Sequence, residues 1–145
     1  MKNDDPDTII IEGLIEALWN TIGTGCTAIW RQVAEKFYET VEANGGDMST
    51  YESSLESIKE YYKSHNTLSE MTYEIKDGEA TIKVEGCGFM PIVDEMDAKN
   101  VDEEHSCPFF NTSLIAIEKV SGHMYDWKRE KQEYGTCLAH VKRLQ

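Results

Sequence analysis

The spacing of apolar residues changes period near residue 70, and that change restricts the chain to a mixed helix-and-sheet fold. Before it, Ile11, Leu14, Ile15, Leu18 and Ile22 recur at the intervals of an amphipathic helix. Asp7 or Thr8 stands where that helix would be capped, and Gly23-Thr24-Gly25 breaks it. Ile29, Trp30, Val33, Phe37 and Val41 mark one face of a second helix, which Asn44-Gly45-Gly46 stops. Tyr51, Leu55, Ile58 and Tyr62 mark a third, with Ser49 and Glu52 spaced as a capping box. Beyond the change, Met71, Tyr73 and Ile75 alternate with polar residues, and so do Ala80, Ile82 and Val84. Asp77-Gly78 between these runs is a strong hairpin signal.

The rest of the chain repeats the order of helix and hairpin. An acid-rich loop is expected from Asp94 to Glu104. A fourth helix is expected to open at Cys107, with Pro108 at its first position and Gly122 as its stop. Tyr125 and Trp127 begin a second hairpin that turns at Tyr134-Gly135 and returns through Cys137, Ala139 and Val141. The predicted class is α+β, an antiparallel sheet of about four strands packed against an N-terminal helical layer and one long C-terminal helix. One domain of ligand-binding type is expected over residues 1–145, with residues 1–7 as a flexible tail.

Charge narrows the partners. With 27 acidic and 14 basic residues, the formal charge is −13. Nucleic acid and anionic membrane surfaces both require a basic face, so neither is an expected partner. The opening residues are acidic rather than basic, and Glu12 and Glu16 interrupt the first apolar run. That reads as no signal peptide and no membrane insertion, and a cytoplasmic location is expected. In that compartment the four cysteines are free thiols or ligands rather than a disulfide framework.

Cys107 is the first chemical candidate, because a helix start favours thiolate while Glu103 and Glu104 oppose it. Otherwise it is a small buried hydrophobe. Cys87 lies between Gly86 and Gly88, which permit a bend or a close approach. Cys137 shares a strand face with Ala139 and Val141, as a core thiol would. Together the three could converge on a metal, and His105 could add a nitrogen. Cys26 reads as packed at the start of the second helix. No phosphate loop, nucleophile elbow or H-E-x-x-H motif is present. Among the aromatic residues, Trp30, Phe37, Phe109, Phe110 and Trp127 are either ordinary core or the lining of an apolar pocket between helices and sheet.

The element order resembles that of the 4-vinyl reductase, or hydrocarbon-binding, domain family. Its wider superfamily includes vesicle-tethering subunits and haem nitric-oxide-binding domains. The resemblance rests on Val84-x-x-Cys87 closing a hairpin, Cys107-Pro108 opening the long helix, and Gly135-x-Cys137-x-x-x-Val141 in the last strand. It implies a module that holds a small apolar or aromatic ligand and pairs as a homodimer through its N-terminal helices. The aromatic-sensing branch also carries zinc, and here Cys107, Asp126 and Cys137 match three of its ligand positions. The fourth position is Arg129, which replaces a ligand with a cation and leaves Cys87 as the available substitute.

The leading expectation is therefore a sensory or binding module for a small apolar ligand. A cysteine-based zinc or redox sensor and a protein-interaction scaffold are the alternatives. An enzyme with Cys107 as nucleophile has no motif behind it.

Overall fold

The structure, a computed structural model, describes residues 5–144. Three helices come first: α1 (Pro6–Ile22), α2 (Cys26–Ala43) and α3 (Tyr51–Ser64). The strands β1 (Glu70–Lys76) and β2 (Glu79–Glu85) form the first hairpin. Two further helices follow, α4 (Met90–Ala98) and α5 (Pro108–Ser121), and then the strands β3 (Tyr125–Lys131) and β4 (Cys137–Arg143). The class is α+β, as the periodicity predicts.

All strand pairs are antiparallel, in the order β1-β2-β4-β3, so the second strand of each hairpin lies at the centre of the sheet. Val84 pairs with Cys137, which also pairs with Lys131, while Arg129 pairs with Ala139 and Trp127 with Val141. Directly opposed residues share a face. One face therefore carries Ile82, Val84, Cys137, Ala139, Val141, Trp127 and Arg129, and the helices cover it. The other face carries Asp126, Lys128, Glu130 and His140. α5 fills the centre of the molecule, and every residue from Phe109 to Ile117 is buried. It packs on α2, α3 and β3.

Several local expectations are corrected. The cap of α1 is Asp5, whose side chain accepts from the Thr8 amide at 3.3 Å. Residues 5–7 therefore belong to the cap and first turn of α1, and residues 1–4 of the expected tail lie outside the described residues. The capping box of α3 uses Thr50 and Ser53, one residue later than the spacing suggests. The expected loop from Asp94 begins inside α4. Pro91 sits in the first turn of that helix, and Ile92 and Met96 are its buried residues. Along α1 only Glu12 and Ile15 are buried, whereas Ile10 and Leu14 are 60% and 52% exposed.

Two apolar clusters result. The larger joins α2, α3, α5 and the sheet. The smaller joins Ile15 of α1 to Ile92 and Met96 of α4 and to Val101, with Trp19, Trp30 and Phe89 against it. Among the described residues no helix is long and apolar enough to cross a membrane.

Candidate functional site

A cavity of about 290 Å³ lies where the two clusters meet. Ile11 and Ile15 of α1 form one wall, and Trp30, Val33 and Phe37 of α2 form another. Phe89, Met90, Ile92 and Val93 at the start of α4 close a third side. Pro108, Phe109 and Phe110 present the first turn of α5. The sheet-side end holds Val84, Cys87, Cys107, Cys137, Glu103, Ser106 and Arg129.

The backbone around each thiol explains how the three meet. Gly86 has a φ of +64°, and a Cβ there would come within 1.9 Å of Ser69 Oγ. The chain therefore turns sharply at the end of β2, and the Cys87 amide donates to the Gly135 carbonyl at 3.1 Å. That bond sets Cys87 beside the start of β4, two residues before Cys137. Cys107 enters from the cap position of α5.

All three thiols are held protonated. Burial pushes the Cys107 thiol up from 9.0 to about 12. The Phe110 amide pulls it down by less, without forming a well-aligned capping hydrogen bond. Cys87 is also raised, first by burial and then by Cys137, against the pull of the Phe89 amide and Arg129. Cys137 is raised by burial, against Arg129 and Lys131. The helix start that favours thiolate at Cys107 is outweighed by the burial of its sulfur. A neutral thiol is a weak nucleophile, so the geometry gives no support to a reactive Cys107.

Arg129 stands among these sulfurs and pairs with Glu103. Its Nη1 lies 2.7 Å from Glu103 Oε1, and the two side chains are 11% and 4% exposed. Oε1 has no well-aligned hydrogen-bond donor, so the contact is an ion pair of poor angle. Burial works against the arginine charge, but the Glu103 carboxylate outweighs it and raises the guanidinium pKa. The loop carrying Glu103 is pinned to the strand, because Glu104 Oε1 accepts from the Arg129 amide at 2.8 Å. Ser106 Oγ donates to the Glu103 carbonyl at 2.7 Å.

Of the candidates for ligand contact, Trp30, Phe37, Phe109 and Phe110 line the cavity. Trp127 does not. Its ring packs on Phe110 at 5.2 Å, and its Nε1 donates to Asn111 Oδ1 at 2.9 Å. It is a support behind the wall. Of the candidate ligands for a metal, Cys87, Cys107 and Cys137 share the cavity, and the other two lie elsewhere. Asp126 is exposed on the far face of β3, a consequence of strand alternation. His105 Nδ1 meets Thr27 Oγ1 at 3.1 Å, its Nε2 faces Asp102 at 3.6 Å, and its ring stacks on Trp19.

The sequence offers little warning of Glu103, which falls in the segment that reads as loop, or of the wall from Phe89 to Val93, which lies between the first hairpin and that loop with no element assigned to it. Met90, Ile92, Val93 and Met96 around Pro91 were the available signal for that wall.

A tetrahedral metal site does not fit here. Arg129 stands where the resemblance places the fourth ligand, and its fixed charge on the same cavity wall would oppose a metal ion among the three thiols. Cys26 is buried at the start of α2 and does not line the cavity. Among the described residues, no three Cys, His, Asp or Glu side chains are disposed to hold a metal.

The chain matches the family described as "Putative rubredoxin C-terminal domain" over residues 8–145. It is 22% identical over 134 residues to a protein named "Putative rubredoxin" from Methanothermobacter thermautotrophicus strain Delta H, covering 92% of this chain and 70% of that one. No solved structure matches the chain. Because that family match spans nearly the whole described fold, the chain belongs to the family of "Putative rubredoxin C-terminal" domains.

Proposed function

We propose that this domain binds a small apolar or aromatic molecule in the cavity between α1, α2, α4 and α5. The observation that carries the reading is the wall itself. Aliphatic and aromatic side chains from four helices surround about 290 Å³, and the few polar groups gather at one end. Ligand sites are built this way, with apolar walls for affinity and sparse polar groups for orientation. The resemblance to hydrocarbon-binding domains supports the same reading. The four free cysteines suit a reducing, cytoplasmic setting for the domain.

Native mass spectrometry of the purified protein is the direct test. A bound organic mass that is lost in Val33→Trp, which fills the cavity from a position 36% exposed, is the expected result. A bare protein that also fails to take up apolar probes would end the proposal.

The three thiols favour a second reading, in which the same end of the cavity senses oxidation. The relative's name, "Putative rubredoxin", points toward redox chemistry for that protein. Thiol counting after treatment with diamide separates the readings. Paired loss of thiols within one chain supports redox sensing, and retention of every thiol ends it.

A further inference from the structure

The polar end of the cavity holds one cation and one anion, and this balance bears on which molecule belongs there. We propose that the ligand is an uncharged ring compound bearing a carbonyl oxygen, and that Arg129 donates a hydrogen bond to that oxygen. This deepens the apolar-ligand reading and rests on it.

Charge is the first argument. Glu103 already neutralises Arg129 at 2.7 Å, with both side chains largely buried. A carboxylate ligand would bring a second anion to one cation in a dry site. Either it or Glu103 would then be left unpaired, which is strongly unfavourable. An ammonium ligand would meet the guanidinium itself. An uncharged molecule leaves the pair intact.

Donor capacity is the second. A guanidinium carries several N–H donors in a fixed fork. Among the described residues, Glu103 is the only group with which the Arg129 side chain pairs. Ser106 Oγ is committed to the Glu103 carbonyl. The remaining polar side chains at that end are thiols, which are weak donors. Arg129 is thus the strong donor on this wall with capacity to spare, and a carbonyl oxygen is the uncharged acceptor that would use it.

Size is the third. A cavity of roughly 150 Å³ accepts one benzene ring. The cavity here, about 290 Å³, suits two fused rings.

Calorimetric titration with three matched probes tests this: tetralin, α-tetralone and tetralin carboxylate. The expected order is α-tetralone tightest, by about tenfold over tetralin, the size of one hydrogen bond to a charged donor. The carboxylate should bind more weakly than the ketone. The paired variant Arg129→Met with Glu103→Gln removes both charges together, so no lone buried charge is left to unfold the protein. In it, tetralin should still bind and the ketone preference should vanish. Circular dichroism confirms that the variant is folded, and the wild-type ranking decides the matter if it is not. Equal binding of tetralin and tetralone would overturn the inference alone. So would tightest binding by the carboxylate, or a ketone preference that survives the paired variant. Failure of all three probes to bind would overturn the apolar-ligand reading as well.

Discussion

At neutral pH Cys107 keeps its proton because burial lifts the thiol from 9.0 to about 12. That shift couples folding to pH. An unfolded chain releases the proton near pH 9, while the folded chain retains it until about pH 12. The stabilisation is therefore complete below pH 9 and is lost as pH rises through that window. Urea unfolding from about pH 8 to pH 11 should show stability falling on the alkaline side. Cys107→Ala should make the fall shallower, leaving the contributions of Cys26, Cys87 and Cys137 and, above about pH 10, those of Tyr62 and Tyr73, all of them raised by burial. An unchanged slope in the variant would contradict the assignment. Strand alternation is enough to put Arg129 on the face of Trp127 and Asp126 on the opposite one, but the resemblance matched Asp126 to a ligand position beside Cys137 and so concealed that separation. The protonation of Cys107 was not readable from residue spacing, because helix position argues for thiolate and only packing supplies the opposing desolvation. Glu103 was hidden for a related reason, since nothing local tells a buried carboxylate from a solvated one.

At the scale of elements, α5 carries the centre of the core and one cavity wall together. Phe110 is 0% exposed and touches both. Phe110→Ala should cost about 3–5 kcal/mol in chemical unfolding. It should also enlarge the cavity, so that bulkier probes bind than the wild type accepts. The turn that presents Cys87 is equally demanding. Gly86→Ala places a side chain at positive φ against Ser69 and should cost about 1–3 kcal/mol. A neutral result at Gly86 would mean that the turn relaxes. The helices and hairpins were legible because their periods are long and clean, and Asp77-Gly78 and Gly122 mark their ends. α4 was not, because Asp94, Glu95 and Asp97 dominate a nine-residue helix and mask its short apolar stripe. The spacing along α1 did find a hydrophobic face, but tertiary packing buries only Ile15 of it.

For the whole molecule, assembly turns on the exposed apolar side of α1. Ile10 and Leu14 are 60% and 52% exposed on one helix. The pairing of two copies through the N-terminal helices, which the resemblance implies, predicts that Ile10→Glu with Leu14→Glu converts a dimer to a monomer in light scattering. A wild-type monomer at working concentration would overturn that expectation. The division of the interior into two clusters has a consequence for how the cavity is reached. α1 and α4 meet in a cluster of four buried residues, Ile15, Ile92, Met96 and the Val101 that follows α4, while the sheet and α5 belong to a far larger cluster. Regions with few buried contacts open at lower free energy than the global transition. Amide exchange in α1 and α4 should then outpace that of β2 and β4 while the protein stays folded. An occupant would bridge the two clusters and slow the faster set toward the slower one. In that way the molecule would behave as a small hinged box whose contents fasten the cover.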